Sequence, residues 1–270
     1  MVRAFSHRMN LDLNGKVILV TGGGGGIGEA IVRTLAIEGA TPVILDRKPP
    51  ESCGALLGEL DIEHVDGAYL RVELTDERQV CDAVRSCVER FESIDGVVNN
   101  AGVNDGAGLD STPEAFRASL EKNLVQCFSL VHCAAPHLRQ SAGGALVNIG
   151  SKVAFTGQGG TSGYAAAKGG LAALTREWAL DLAKDGVRVN AVIPAEVWTP
   201  MYDDWLSTQP DPAARRREIE SRIPLGRRMT EPREIADMVA FLLSPRSAHT
   251  TGQLIHVDGG YTHFDRAYRG

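Results

Sequence analysis

The sequence predicts an α/β fold, a doubly wound parallel sheet of about seven strands with helices on both faces. Three observations carry this. Short β-branched runs alternate with longer amphipathic runs, as in a parallel sheet with crossover helices. The short runs are continuously apolar, as strands buried on both faces require. The first of them, Val17 to Thr21, breaks into five successive glycines, Gly22 to Gly26, and resumes as a helical pattern through Ile27 and Gly28.

This strand, glycine turn and helix organise the chain. Glycine tolerates positive φ and has no Cβ, so backbone around Gly22, Gly25, Gly26, Ile27 and Gly28 can close on an anion at the positive end of the following helix. A dinucleotide pyrophosphate is such an anion, although Gly22-x-x-x-Gly26-x-Gly28 departs from the commoner G-x-G-x-x-G spacing. The first helix is expected over roughly Gly26 to Glu38. The second strand, Val43-Ile44-Leu45-Asp46, ends about 20 residues beyond the turn on a carboxylate able to accept both ribose hydroxyl hydrogens of an adenosine. Later strands are expected at Ala68 to Leu74, Gly96 to Asn99, Ala145 to Ile149, Val187 to Ile193 and Gln253 to Val257. Helices fill the gaps at Asp76 to Phe91, Pro113 to Arg139, Gly163 to Ala183 and Pro232 to Leu243.

In the third of these helices Leu171, Leu174, Trp178 and Leu182 recur at helical spacing and read as core or subunit interface. Composition shifts only over Thr199 to Arg228, rich in Pro, Arg and acidic residues. That stretch reads as a mobile segment over a site at the carboxyl ends of the strands. The expected organisation is one domain over 11–260 with a lid at about 199–228, a loose extension at 1–10 and a tail at 261–270.

Composition narrows the function classes. A hydrophobic content of 43% with 23% charged residues suits a globular enzyme, and no apolar run approaches the ~20 residues of a membrane helix. Residues Met1 to Arg8 carry two arginines but no apolar core, so no secretory signal is read and a cytoplasmic location is expected. A net charge of −6 offers no broad basic field for nucleic acid or an anionic membrane. The 5 cysteines form no Cys-x-x-Cys pair and are expected to be buried, reduced thiols. The 7 histidines lack ligand spacing, and no metal is expected.

The chemistry centres on Tyr164 and Lys168, four residues apart and therefore on one helical face. A tyrosine with its ordinary pKa of ~10 becomes a base near neutrality only if its phenolate gains about 3–4 kcal/mol of stabilisation. A fixed lysine ammonium supplies part of that. Asn148-Ile149-Gly150-Ser151 ends the fifth strand, so a serine hydroxyl emerges at the same sheet edge.

In these motifs the chain resembles the short-chain dehydrogenase/reductase family over about Leu11 to Gly260, and the Rossmann-type fold is what that resemblance implies. Thr21-Gly22-x-x-x-Gly26-Ile27-Gly28 matches the family's cofactor turn, Asn99-Asn100-Ala101-Gly102 its fourth-strand motif, and Asn123, Ser151, Tyr164 and Lys168 its catalytic tetrad. The resemblance implies that Tyr164 is the general acid/base and that Ser151 holds the substrate oxygen. It implies further that Lys168 grips the nicotinamide ribose and that Asn123 anchors a relay water. It implies a nicotinamide cofactor held by the glycine turn, by Asp46 and Arg47, by Glu73 and Leu74 near the adenine, by Asn100, Ala101 and Gly102, by Tyr164 and Lys168, and by Pro194, Val197 and Thr199. Asp46 favours NAD, while Arg47 could pair with a 2′-phosphate and admit NADP.

The family usually has Pro-Gly after the sixth strand; this chain has Pro194-Ala195-Glu196, which sets a carboxylate beside the nicotinamide position. Glu196, Trp198 and Gln158, with Ser151 and Tyr164, are the expected substrate residues, and Tyr202, Asp203, Asp204, Trp205 and Gln209 lie in the lid. Carboxylates accept hydrogens from vicinal hydroxyls and an indole covers a pyranose face, so the mixture suits a sugar. The Pro-Ala-Glu-Val-x-Thr-Pro segment and the tail Asp258 to His263 resemble the bacterial L-fucose dehydrogenases within the family, which oxidise the anomeric carbon to a lactone. Other aldoses, polyols, hydroxysteroids and 3-oxoacyl substrates stay open, as does a nicotinamide-binding regulator without turnover. The resemblance also implies a homotetramer, with the Trp178 helix and last strand at its interfaces and His263, Arg266 and Arg269 near a neighbouring subunit.

Overall fold

The computed structural model describes residues 10–60 and 68–264. The expectations for residues 1–9, Arg266 and Arg269 lie outside the described residues. In chain order the elements are β1 (Val17–Thr21), α1 (Gly26–Ile37), β2 (Thr41–Asp46), α2 (Gly54–Glu59), β3 (Ala68–Arg71), α3 (Glu77–Phe91), β4 (Gly96–Asn99), α4 (Pro113–Leu120) and α5 (Gln126–Leu138). They continue with β5 (Ala145–Ile149), α6 (Ser162–Ala183), β6 (Arg188–Pro194), α7 (Pro200–Ser207), α8 (Pro212–Ser221), α9 (Pro232–Leu243) and β7 (Leu254–Val257).

The seven strands form one sheet in the order β3-β2-β1-β4-β5-β6-β7, every neighbouring pair parallel. Winding runs outward from β1 in one direction and from β4 in the other. The loops leaving β1 and β4 therefore part and open a crevice at the sheet's carboxyl edge. Alternate strand residues serve two cores. Leu19, Val97, Leu146 and Val189 pack beneath α3, α5 and α6, while Ile18, Val20, Val98 and Val147 pack beneath α1 and α9. Burying an aliphatic side chain of this size stabilises by about 1.5–3 kcal/mol, which is why both faces of these strands are mainly apolar, with the buried Asn99, Asn148 and Asn190 as hydrogen-bonded exceptions.

Asp95 pins the opposite edge of the sheet. Its carboxylate accepts from Lys16 Nζ at 2.9 Å, Val17 N–H at 3.0 Å and Ser141 Oγ at 2.6 Å. Burial alone would raise its pKa, but these donors outweigh it and hold the carboxyl below its usual range.

The structure corrects several expectations. The long helix expected over Pro113 to Arg139 is interrupted by a π turn at Glu121–Val125. The wider turn brings Asn123, which is fully buried, against the loop after β4. The third strand stops at Arg71, and Glu73 and Leu74 already belong to the loop beyond it. The composition shift at 199–228 contains two helices, α7 and α8, each with Pro at its first position. Thr199 and Asp211 cap them by accepting from the N–H groups of Tyr202 and Ala214. The cysteines are not all reduced: Cys81 of α3 and Cys133 of α5 form a disulfide, a pairing across 52 residues that spacing alone does not signal, while Cys53, Cys87 and Cys127 are free and buried. Trp178, Leu171 and Leu182 lie in the chain's own core, so the helical stripe resolves as core. No helix among the described residues is long and apolar enough to cross a membrane.

Candidate active site

The glycine turn is bare backbone by necessity. Gly22 and Gly26 have φ of 64° and 56°, in the left-handed region that favours glycine. A Cβ on Gly24 would meet Cys53 Sγ at 2.6 Å and Asp46 Oδ2 at 2.9 Å. A Cβ on Gly28 would lie 2.0 Å from the Gly22 carbonyl oxygen, so Gly28 permits the approach of turn to helix and does not itself line the cleft. The turn is held from β4: Asn100 Nδ2 donates to the carbonyls of Thr21 and Gly22 at 2.9 and 3.2 Å, and Asn100 N–H donates to Thr21 Oγ1 at 2.9 Å.

Asp46 is buried at the end of β2, where its carboxylate accepts from Gly24 N–H and Lys48 N–H, both at 3.1 Å. Each oxygen retains a lone pair for a further donor. Arg47 and Lys48 beside it are exposed. Glu73 Oε1 accepts from the Thr75 N–H and hydroxyl at 3.2 and 2.9 Å, which fixes the carboxylate at the edge of the cleft next to Leu74.

At the other end, Lys168 is buried and its Nζ donates to the Ile149 carbonyl at 2.8 Å. The same ammonium lies 5.6 Å from the centroid of the Tyr164 ring. Because Ile149 closes β5 two residues before Ser151, one hydrogen bond sets the lysine, the tyrosine and the serine strand end in register. Asn123 lies behind this wall. Its Oδ1 accepts from Val103 N–H at 2.7 Å and its Nδ2 donates to the carbonyls of Val103 and Ser119, both at 2.9 Å. A Cβ on Gly102 would meet Asn123 Oδ1 at 2.8 Å and lie 3.5 Å from Lys168 Nζ, so only glycine leaves room for the asparagine at this position.

Apart from Gly28 and Asn123, which stand behind its wall, the expected cofactor and catalytic residues border one cleft of about 1150 Å³ along the carboxyl edge of the sheet. That exceeds the ~300–1,000 Å³ of an ordinary small-molecule pocket and leaves room for a dinucleotide beside a substrate. Its lining includes Gly22, Gly25, Gly26, Ile27, Asp46, Arg47, Glu73, Leu74, Asn100, Ala101 and Gly102 toward one end, and Ser151, Gln158, Tyr164, Lys168, Pro194, Glu196, Val197 and Thr199 toward the other. Bare glycine backbone, a carboxylate at the expected ribose position and a buried ammonium fit a nicotinamide dinucleotide.

A model of the family described as Enoyl-(Acyl carrier protein) reductase matches residues 22–262. The chain belongs to the short-chain dehydrogenase/reductase family. It is 38% identical over 248 residues to the L-fucose dehydrogenase of Bos taurus, which covers 91% of this chain and 89% of that protein. It is equally, at 38% over 253 residues, similar to the 3-oxoacyl-[acyl-carrier-protein] reductase FabG of Thermotoga maritima, covering 93% and 99% of the two chains. The crystal structure of Cj0485 dehydrogenase superposes with a TM-score of 0.92 at 40% identity, covering 96% of this chain and 99% of that one. This member of the family is therefore an oxidoreductase that works with a nicotinamide cofactor.

One expected substrate residue of this dehydrogenase is misplaced. Trp198 does not line the cleft; it packs with Ile219, Ile223 and Met229 under the guanidinium of Arg216, 4.2 Å from the ring. That apolar cluster under α8 takes the indole because it offers the ring more contact than the polar cleft. Trp205 of α7 lines the cleft instead. Sequence reasoning also passed over Lys152 and Tyr261. Lys152 Nζ pairs with Glu196 Oε1 and sits 4.2 Å from the Tyr261 ring centroid, and Tyr202 Oη donates to Glu196 Oε2 at 2.8 Å. Burial, and then the Glu196 carboxylate, push the Tyr202 phenol far above its usual range, so it serves as a donor. The signal for Lys152 was its place directly after Ser151. Of the tail, His263 packs on His256 and Phe264 on Tyr261 within the same chain.

Proposed function

We propose that this dehydrogenase oxidises the anomeric hydroxyl of a sugar of the L-fucose type to the lactone, with Tyr164 as general base. The observation that carries this reading is the polar wall of Glu196, Lys152 and Tyr202 bordering the same cleft as Ser151 and Tyr164. An acyl chain would leave the remaining donor of Lys152 and the remaining acceptor sites of Glu196 unused on binding, whereas ring hydroxyls satisfy them. The likeness to an L-fucose dehydrogenase supports the reading, and the equal likeness to FabG makes a 3-oxoacyl thioester its competitor.

A bound nicotinamide supplies acceptance of hydride from the carbon that carries the hydroxyl. The chain does the rest. Ser151 Oγ hydrogen-bonds the reacting oxygen, and Tyr164 Oη takes the hydroxyl proton as the carbon–oxygen double bond forms. Lys168, anchored on the Ile149 carbonyl, keeps a positive charge beside that phenol. Asn123 fixes the Val103 loop after β4.

NAD is the proposed cofactor, because the buried Asp46 carboxylate would oppose a 2′-phosphate, and exposed Arg47 and Lys48 leave NADP a weaker alternative. A homotetramer is the proposed assembly, with α6 and the last strand at its interfaces; Trp178 itself is buried in the core, and exposed apolar side chains such as Leu180 of α6 and Phe128 of α5 support the reading. Initial rates on a panel of aldoses and polyols, each with NAD and with NADP, and on acetoacetyl-coenzyme A with NADH and with NADPH, test the reading. The expected result is highest kcat/KM for L-fucose with NAD; highest kcat/KM for the thioester would overturn it.

A further inference from the structure

Four side chains from four separate parts of the chain meet at one place on the cleft. Glu196 follows the end of β6, Lys152 follows Ser151 at the end of β5, Tyr202 comes from α7, and Tyr261 follows β7. Parallel pairing of β5 with β6, Ile149 against Val192, brings the first two loops side by side. The charged pair is mostly withdrawn from water, with side-chain exposures of 11% for Lys152 and 13% for Glu196, and both residues line the cleft.

Counting donors and acceptors shows what remains unused. The ammonium has three N–H groups; one goes to Glu196 and its underside rests on the Tyr261 ring, which leaves a donor for the cleft. The carboxylate has about four acceptor sites, of which Lys152 and Tyr202 take one each. The pair is neutral as a unit, so it gives no net attraction to an anion or a cation. What it offers is a donor and an acceptor side by side, next to the residue that holds the reacting oxygen.

We infer that Lys152 and Glu196 act together as a reader of adjacent hydroxyls on a neutral substrate, Lys152 donating to one oxygen and Glu196 accepting from its neighbour, with Tyr202 and Tyr261 fixing the pair. Lys152 is thereby a specificity-determining residue and Tyr202 a positioning residue. This rests on the sugar reading above. It adds to it that the hydroxyl next to the oxidised carbon is recognised by a coupled pair rather than by Glu196 alone. A lone carboxylate would favour any donor, including an amine; the pair requires one oxygen that accepts beside another that donates, as adjacent hydroxyls provide.

The test compares kcat/KM for L-fucose and 2-deoxy-L-fucose in wild type, Lys152→Met, Glu196→Gln and the double variant, with acetoacetyl-coenzyme A and NADH as a third substrate. Hydrogen bonds to charged groups set the expected loss on L-fucose at about 10- to 150-fold for each single variant, with a much smaller loss on the deoxy sugar. Because the two residues act as a unit, the double variant should lose far less than the product of the single losses. KM for NAD should stay near the wild-type value, and Tyr202→Phe should raise KM for L-fucose more than it lowers kcat. Equal losses on both sugars in every variant, or fully multiplicative losses, would overturn the paired reader while leaving the sugar reading intact. Wild type that turns over the thioester and neither sugar would overturn the sugar reading and this inference with it.

Discussion

Asp46→Ala should reverse the cofactor preference, and the structure sets the size of the change. The carboxylate is buried at the end of β2 and is already held by Gly24 N–H and Lys48 N–H, so its remaining lone pairs face the cleft in a fixed direction. Two ribose hydroxyls donating to it would each contribute about 1.5–3 kcal/mol, and losing the pair even at the low end removes about 3 kcal/mol, or roughly 150-fold in kcat/KM for NAD. For NADP the opposite holds. Two unit charges 4 Å apart repel by about 4 kcal/mol at an effective dielectric near 20, and water at the cleft mouth reduces this, so relief of about 1–2 kcal/mol, or roughly 10-fold, is expected. The ratio of kcat/KM for NADP to that for NAD should rise by about three orders of magnitude. Asp46→Asn separates the effects, since the amide keeps an acceptor for the turn while removing the charge. The assay is initial rate against cofactor concentration with saturating L-fucose. A ratio that moves by less than about tenfold in Asp46→Ala would refute the assignment of Asp46 to the ribose.

Two further perturbations follow from contacts behind the cleft. Asn123→Ala removes the side-chain partner of the part-buried Val103 N–H and carbonyl and of the buried Ser119 carbonyl. It should cost about 1–3 kcal/mol and lower Tm by about 2–12 °C, with a fall in kcat; an unchanged Tm in a thermal melt would contradict the anchoring role. Asp95→Asn tests the pH dependence of the sheet edge. The folded carboxyl titrates below its ordinary value of 3.8, so its stabilisation is complete above that pH and is lost as the pH falls through the lower folded value. The stability gap between wild type and Asp95→Asn, about 1–3 kcal/mol near neutrality, should shrink in urea titrations as the pH drops below about 4, and a gap that widens there would refute it.

The parts of the fold that were readable from the residues are those dictated by local periodicity. Continuous apolar runs located all seven strands, and the order of the sheet follows once the glycine turn is placed on β1. The long helix was misread because a π turn does not disturb apolar spacing enough to show, although it is what turns Asn123 inward. Helices α7 and α8 were hidden by a polar composition in which Ile219 is the one residue of α8 that is buried.

At the site, residues tied to strand ends were found by position, because a parallel sheet delivers every such residue to one edge. Residues whose direction depends on tertiary partners were not. Trp198 lies two residues from Glu196 yet turns into the apolar cluster under α8, and Lys152 is held at the site by Glu196 of a different strand end and by the Tyr261 ring. The disulfide between Cys81 and Cys133 likewise depends on the packing of α3 on α5 and leaves no mark in the spacing.

The most direct measurement of the central claim is the rate of nicotinamide reduction with L-fucose in wild type and Tyr164→Phe, alongside cofactor binding followed by calorimetry. Removing one oxygen while keeping the ring should abolish nearly all turnover and leave the affinity for NAD close to that of wild type. A Tyr164→Phe enzyme that retains a tenth or more of the wild-type kcat (a loss of about 1.4 kcal/mol or less in barrier height) would contradict the assignment of Tyr164 as the base.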